Sequence, residues 1–248
     1  MKKTLIILIV LLVIAISLIV LYLLKGKEVL NFDKVETNDP AIEKLVTISQ
    51  SNVSAFIFVT QESENDHRLH INMTPVINLT LAEKEVENFK IENFKGDSKI
   101  GEVLLIHPTS LARENEGATL LFTEISELMN NESIRSNGDS IDYVVTDTVT
   151  KYNEVAKRDS IVPSFGIVVK SIGTVDYKNI LDRDKVFEGS KYLEYSGIKL
   201  GDITTSIQFD LVMEFTDGTK YTKRFAGSLD GNRFSTETVP LFELKSVE

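Results

Sequence analysis

No cysteine occurs in this 248-residue chain. That excludes a disulfide framework, a cysteine nucleophile, zinc–thiolate sites and a lipid anchor built on cysteine. It leaves the redox compartment open, because a chain of this length can build a core without disulfides. Positive charge is short in the bulk of the chain. Lys2, Lys3, Lys25 and Lys27 lie in the first 27 residues, which contain no Asp or Glu. Residues 28–248 then hold 23 Lys and Arg against 37 Asp and Glu, a formal charge of −14. Such a surface repels phosphate backbones and has no counterion-release term to drive association, so nucleic acid is excluded as a partner. It also repels anionic head groups, which predicts that the acidic part stands off a bilayer.

Catalytic signatures are missing too. There is no Gly-x-Ser-x-Gly, no glycine-rich phosphate loop and no dinucleotide fingerprint. Of the three histidines, His67 and His70 have a spacing that unites metal ligands on a helix and sends them to opposite faces on a strand. They lie in a strand signal just after a polar turn and read as exposed loop histidines, and the one other histidine is His107. Asp182, Asp184 and Glu188 resemble part of a calcium loop. Val186, however, takes a position that needs an oxygen, and no bidentate Glu follows, so the segment reads as a solvated turn. Asp230 with Asn232 is a weaker version of the same signal. Ser196 and Lys199 match Ser-x-x-Lys, but the partner motifs are absent and Gly197 intervenes, so the match reads as chance. Sequons occur at Asn52, Asn72, Asn78 and Asn131, the last in the most accessible polar loop. No catalytic, cofactor-binding or metal-binding residue is assigned, and no cofactor is expected.

One long hydrophobic run is present. Thr4 to Leu24 is 21 residues without a charge, with eight Leu, six Ile and three Val. As a helix it spans about 31 Å, the thickness of the hydrocarbon layer. A cleaved signal peptide fits less well, because the small residues of Ala15-Ile16-Ser17 lie inside the run and seven further residues follow them. A pilin-type Gly-Phe-x-x-x-Glu processing signature is missing. The expected organisation is residues 1–3 in the cytoplasm, a transmembrane helix at 4–24, a polar stalk at 25–38 and an acidic extracytoplasmic domain at 39–248. Lys2, Lys3 and the terminal amine outweigh Lys25 and Lys27, which favours the N-terminus inside. Ala15 and Ser17 give no small-xxx-small pair for packing against other helices.

Beyond the stalk, Asp39-Pro40 has the chemistry of a helix start, and Ile42, Leu45 and Val46 predict a helix to about Gln50. Strands are predicted at Val53–Thr60, Arg68–Asn72, Val76–Leu79 and Glu102–His107, with Pro75 and Pro108 as interruptions. Thr80 to Glu83 has capping-box spacing, and Glu85–Phe94 fits helix and strand equally. Ala118–Met129 and Ile141–Ala156 step by three and four and predict helices, with a loop at 130–139 between them. From Ile161 the chain reads as β. In Ile203–Phe215 the odd residues Ile207, Phe209, Leu211, Met213 and Phe215 form one face. A two-residue turn at Asp217-Gly218 would put Tyr221 and Phe225 on the wrong face. A three-residue loop, Thr216-Asp217-Gly218, with Gly218 left-handed, pairs Met213 with Tyr221 and Phe209 with Phe225. A last strand is predicted at Arg233–Leu244, with Pro240 marking a sheet edge.

These elements predict an α+β, predominantly antiparallel and sandwich-like ectodomain with two to three helices, all-β from about 160 to 248, behind one transmembrane helix. The function expected is a non-enzymatic, membrane-anchored binding or scaffolding module of the cell envelope. Its partners would be the lipid bilayer, through the N-terminal helix, and an envelope protein or polysaccharide. Two other readings remain at this stage, a subunit of a larger membrane assembly and a glycoside hydrolase using a carboxylate pair. A binding module predicts an exposed sheet edge or an apolar patch; a hydrolase predicts a polar cleft with two carboxyls about 5–10 Å apart.

Overall fold

In the computed structural model, residues 38–63, 66–82, 84–113, 117–124, 134–136, 140–145, 165–175 and 189–247 are described. The stretch from Glu36 to Glu248 forms one compact unit. Among the described residues no helix is long and apolar enough to cross a membrane. The predicted helix at 4–24, the stalk up to residue 37, Asn131 and the Asp182–Glu188 segment lie outside them.

Among the described residues twelve strands make two six-stranded antiparallel sheets. They are β1 (Val46–Ser63), β2 (Asp66–Leu81), β3 (Val86–Ser98), β4 (Glu102–Arg113), β5 (Gly117–Glu124) and β6 (Ile134–Ser136), then β7 (Ile141–Val144), β8 (Gly166–Thr174), β9 (Thr204–Phe215), β10 (Lys220–Asp230), β11 (Leu241–Glu243) and β12 (Lys245–Val247). The first sheet runs β11-β1-β2-β8-β4-β5 and the second β12-β10-β9-β3-β7-β6. Their apolar faces meet as a β-sandwich. Leu69, Ile71, Met73 and Ile77 from β2 share one core with Phe89 and Ile91 from β3 and Phe209, Leu211 and Met213 from β9. Phe165, at the entry to β8, packs edge-on to Phe209 at 5.1 Å between ring centroids, and Phe209 lies 5.8 Å from Phe225. Aromatic contacts of this kind add about 0.5–1.5 kcal/mol to the burial itself.

The β9–β10 hairpin follows the derived register. Met213 pairs with Tyr221 and Phe209 with Phe225. The Phe215 amide donates to the Thr219 carbonyl at 2.9 Å, leaving a three-residue loop in which Gly218 has φ +82°. Asp217 in that loop binds the Lys84 ammonium, and its hydroxyl and amide bonds come from Thr219.

The described parts of several helices expected from the sequence are strands, while residues 125–129 and 146–156 of two of those helices lie outside the described residues. The N-terminal helix does start at Asp39, whose Oδ1 accepts from the Ala41 amide at 2.8 Å, with Pro40 in the first turn. It ends after one turn, α1 (Pro40–Glu43), because the β-branched run Val46-Thr47-Ile48 pairs with β2. Gly117–Glu124 is β5 rather than the start of a helix and pairs with the preceding strand β4 as a hairpin; Ile141–Val144 is β7 and finds its hydrogen-bonding partner far back along the chain, in β3. The Thr80–Glu83 capping box starts no helix, and Val86–Ser98 is a strand. Conversely, the segment expected to be all-β contains helix α2 (Gly189–Ser196) and 3₁₀ turns at Leu200–Asp202 and Gly231–Ser235. Gly231 sits where those two turns meet, and an added Cβ there would overlap the Leu200 carbonyl and Ile203.

Two prolines expected to interrupt strands do not. Pro108 lies inside β4 opposite Phe122. Pro75 lies inside β2 opposite Val53. The Ser51 carbonyl and the Ala55 amide both bond to the C-terminal segment, so Val53 between them also faces away from β2. Pro75 nitrogen therefore points toward β8, whose pairing with β2 ends at Met73. No ladder donor is missing there, and the ring costs nothing in hydrogen bonds.

Candidate functional site

The expected last strand at Arg233–Leu244 is replaced by a strap that serves both sheets. Leu241–Glu243 (β11) pairs with Asn52–Ser54 of β1, and Lys245–Val247 (β12) pairs with Arg224–Ala226 of β10. The crossing point is Leu244, whose amide donates to the Ser51 carbonyl at 3.0 Å while its carbonyl accepts from Ser51 Oγ at 2.8 Å. Pro240 precedes the edge strand, as expected, and its carbonyl accepts from the Ala55 amide. Each strap strand is three residues long, whereas β1 has 18 residues and β10 has 11. Both edges therefore run on past the strap.

Between those two edges lies an open groove of about 500 Å³. Val46, Ile48 and Ser51 of β1 form one wall, and Tyr221, Lys223 and Phe225 of β10 the other; the strap at Glu243–Ser246 closes one end, with Glu43 of α1 also on the lining. Tyr221, Phe225 and Leu244 are each about 1% exposed and seal the floor. Burial, and then the charge of Glu43, push the Tyr221 hydroxyl well above the usual tyrosine range, so it stays protonated.

Charges of both signs stand at the rim. Lys223 Nζ donates to Glu43 Oε1 at 3.1 Å. The other Glu43 oxygen accepts from Asn38 Nδ2 at 2.7 Å. Asn38 does more than this. Its Nδ2 donates to the Thr222 carbonyl at 2.8 Å and its Oδ1 accepts from the Thr222 amide at 2.7 Å. One side-chain amide thus fills the place that a peptide group of a neighbouring strand would take on β10. Glu243 and Lys245 make no ion pair among the described residues.

The residues singled out from sequence fall elsewhere. His67 and His70 are in β2, not in a loop. His70 is 1% exposed, which corrects the exposed reading. Its Nδ1 accepts from the Ser171 amide at 3.1 Å, which leaves the proton on Nε2, 2.7 Å from Thr60 Oγ1. Ser171 sits at φ +56° beside the bulge where β2 pairs with β8, so His70 satisfies an amide that the bulge turns out of the ladder. His107 is also buried. Its Nδ1 lies 3.2 Å from Tyr143 Oη, a polar contact between the two sheets, and burial holds the Tyr143 hydroxyl far above its usual range. Among the described residues no group of three or more His, Cys, Asp or Glu is placed to hold a metal.

Ser196 caps its own helix end, donating to the Leu193 carbonyl and accepting from the Ile198 amide, with Gly197 at φ +70°. That leaves no serine–lysine pairing with Lys199. Asp230 Oδ1 accepts from the Asn232 amide and side chain and caps the 3₁₀ turn. Of the sequons, Asn72 is 7% exposed with its amide on Thr74, the threonine of its own sequon.

Sequence reasoning missed the groove altogether. Its walls come from residues 43–51 and 221–246, and nothing local shows that these meet. The β-branched run at Val46–Ile48 was the available hint. Comparison with known protein families, with curated proteins and with solved structures finds no match to this chain.

Proposed function

We propose that this chain is a membrane-anchored extracytoplasmic module of the cell envelope that binds a partner without catalysing a reaction, and that the groove between β1 and β10 is its binding site. The observation that carries this reading is a pair of sheet edges that the strap covers for only three residues each. Edges of that kind recognise extended ligands through main-chain hydrogen bonds. The groove's volume lies in the range of about 300–1,000 Å³ common to ligand sites. Apolar exposure elsewhere offers little competition: among the described residues the large exposed apolar side chains are Tyr195, Val239 and Leu241. The hydrolase alternative gains no support from Glu43, because both of its carboxylate oxygens already accept bonds from cationic or amide donors. The apolar run at 4–24 supplies the anchor, and the lysine bias supplies the orientation.

The test places a photo-crosslinking side chain at Lys245 of the full-length chain in its native membrane, with exposed Asp97 as the remote control. Adducts from position 245 and none from 97 support the groove. Equal adducts from both positions, or none from either, overturn it. Protease added to intact cells should degrade the domain; protection of residues 39–248 would overturn the extracytoplasmic placement.

A further inference from the structure

Resting on the groove as the binding site, we infer that the lane beside Val46–Ile48 takes up an extended, net-basic polypeptide segment as an added strand of the first sheet. The two walls of the groove are not equivalent. On β10 the outward main-chain pair at Thr222 is already occupied by the Asn38 amide, and the next outward pair is covered by β12. On β1 the strap fills the lane beside Asn52–Ser54 and then leaves it at Leu244 for the other sheet.

The direction of the vacated groups follows from the ladder. The Ala82 amide donates to the Leu45 carbonyl, so Leu45 and Thr47 face β2, and Val46 and Ile48 face the lane. Each presents one amide donor and one carbonyl acceptor. Among the described residues no strand pairs with them on that side. The register shift between Ile48 and Gln50 ends this stretch, and Ser51 beyond it already bonds Leu244. The lane is therefore short and defined at both ends. Its occupant needs a polypeptide main chain in extended form, with alternate side chains directed to the floor of Tyr221 and Phe225.

Charge selects among such segments. The rim is balanced, with Glu43 paired to Lys223 and with one further charge of each sign at Glu243 and Lys245. Local contacts therefore reject neither sign. The field is set by the −14 of residues 28–248, which draws a cationic segment in and repels an anionic one.

The experiment uses the full-length chain in detergent micelles and four fluorescent decapeptides. These are alternating Val-Lys, alternating Val-Glu, and two Val-Lys peptides N-methylated on alternate residues, one in each parity. The Val-Lys peptide should bind, with the Val-Glu peptide at least tenfold weaker at low salt. Methylation in one parity should abolish binding, and the other parity should spare it, because an added strand bonds β1 through one edge only. Ile48→Pro removes an amide that faces the lane and should weaken binding at least tenfold; should that variant lose its fold, the methylated peptides give the same readout on the native chain. Binding that ignores both parities of methylation overturns strand addition. Equal binding of the Val-Glu peptide overturns the charge assignment. If no peptide binds while the crosslinks at position 245 persist, this inference fails and the groove stands as a site for another ligand; if the crosslinks are absent too, both fail.

Discussion

Single residues show where polarity has been taken inside. Asp210 and Arg224 are 3% and 5% exposed, on the face of β9 and β10 opposite the core. Arg224 donates to both carboxylate oxygens at 2.6 and 2.8 Å, and Asn93 adds a third bond to Asp210. Replacing Asp210 by Leu strips the carboxylate from a buried guanidinium and should cost about 3–5 kcal/mol, whereas Asp210→Leu with Arg224→Met should recover most of it. Chemical unfolding of the full chain measures both, and a double variant no better than the single one would show that the pair is not acting as a unit. His70→Leu should cost about 1–3 kcal/mol, because it leaves the Ser171 amide at the bulge without its acceptor. Neither burial was legible in the sequence. A polar residue is read as exposed by default, and the groups that satisfy His70 lie 10 and 101 residues away.

Elements were legible where alternation and turn chemistry agreed. The β9–β10 hairpin could be derived because its strands are adjacent in sequence and only one loop length keeps Tyr221 and Phe225 on the core face. Gly218→Ala should cost about 1–2 kcal/mol from backbone strain alone, since an added Cβ would meet no atom within 4 Å. Elements failed where the apolar spacing served two periods. Ala118–Phe122 and Ile141–Val145 carry residues three and four apart, and their strand state comes from pairing with β4 and β3. The orientation of β1 gives a sharper check. Thr47→Pro removes a group that faces β2, and Ile48→Pro removes one that faces the lane, so Thr47→Pro should destabilise by at least ~1 kcal/mol more. Thermal unfolding of the two variants side by side measures this, and the reverse order would mean that Ile48 faces β2 and Thr47 faces the lane.

At the scale of the whole molecule, the chain is acidic and the ion pairs on the surface of its sandwich contribute through pH. The hydrogen bond from Lys90, with a further one from Asn88, holds the Glu214 carboxyl below its usual range against the opposing effect of burial. A depressed carboxyl contributes stability above its unfolded value of about 4.3, and the contribution is lost as pH falls through the folded value. The unfolding midpoint should therefore drop on acidification from about pH 5, and Glu214→Gln should flatten that drop; an unchanged acid limb would show that other carboxylates carry it. At this scale the sequence by itself determined the predominantly antiparallel β character, the net acidity of the chain, and the register of one hairpin. Each follows from composition or from residues close together in the chain, at most 16 positions apart in the hairpin pairs Met213–Tyr221 and Phe209–Phe225. Tertiary structure alone decided which strands share a sheet, that the C-terminal segment crosses from one sheet to the other at Leu244, and that a groove remains beside it. Strand pairing is carried by main-chain groups that every residue possesses, so its long-range choices leave little trace in side-chain pattern.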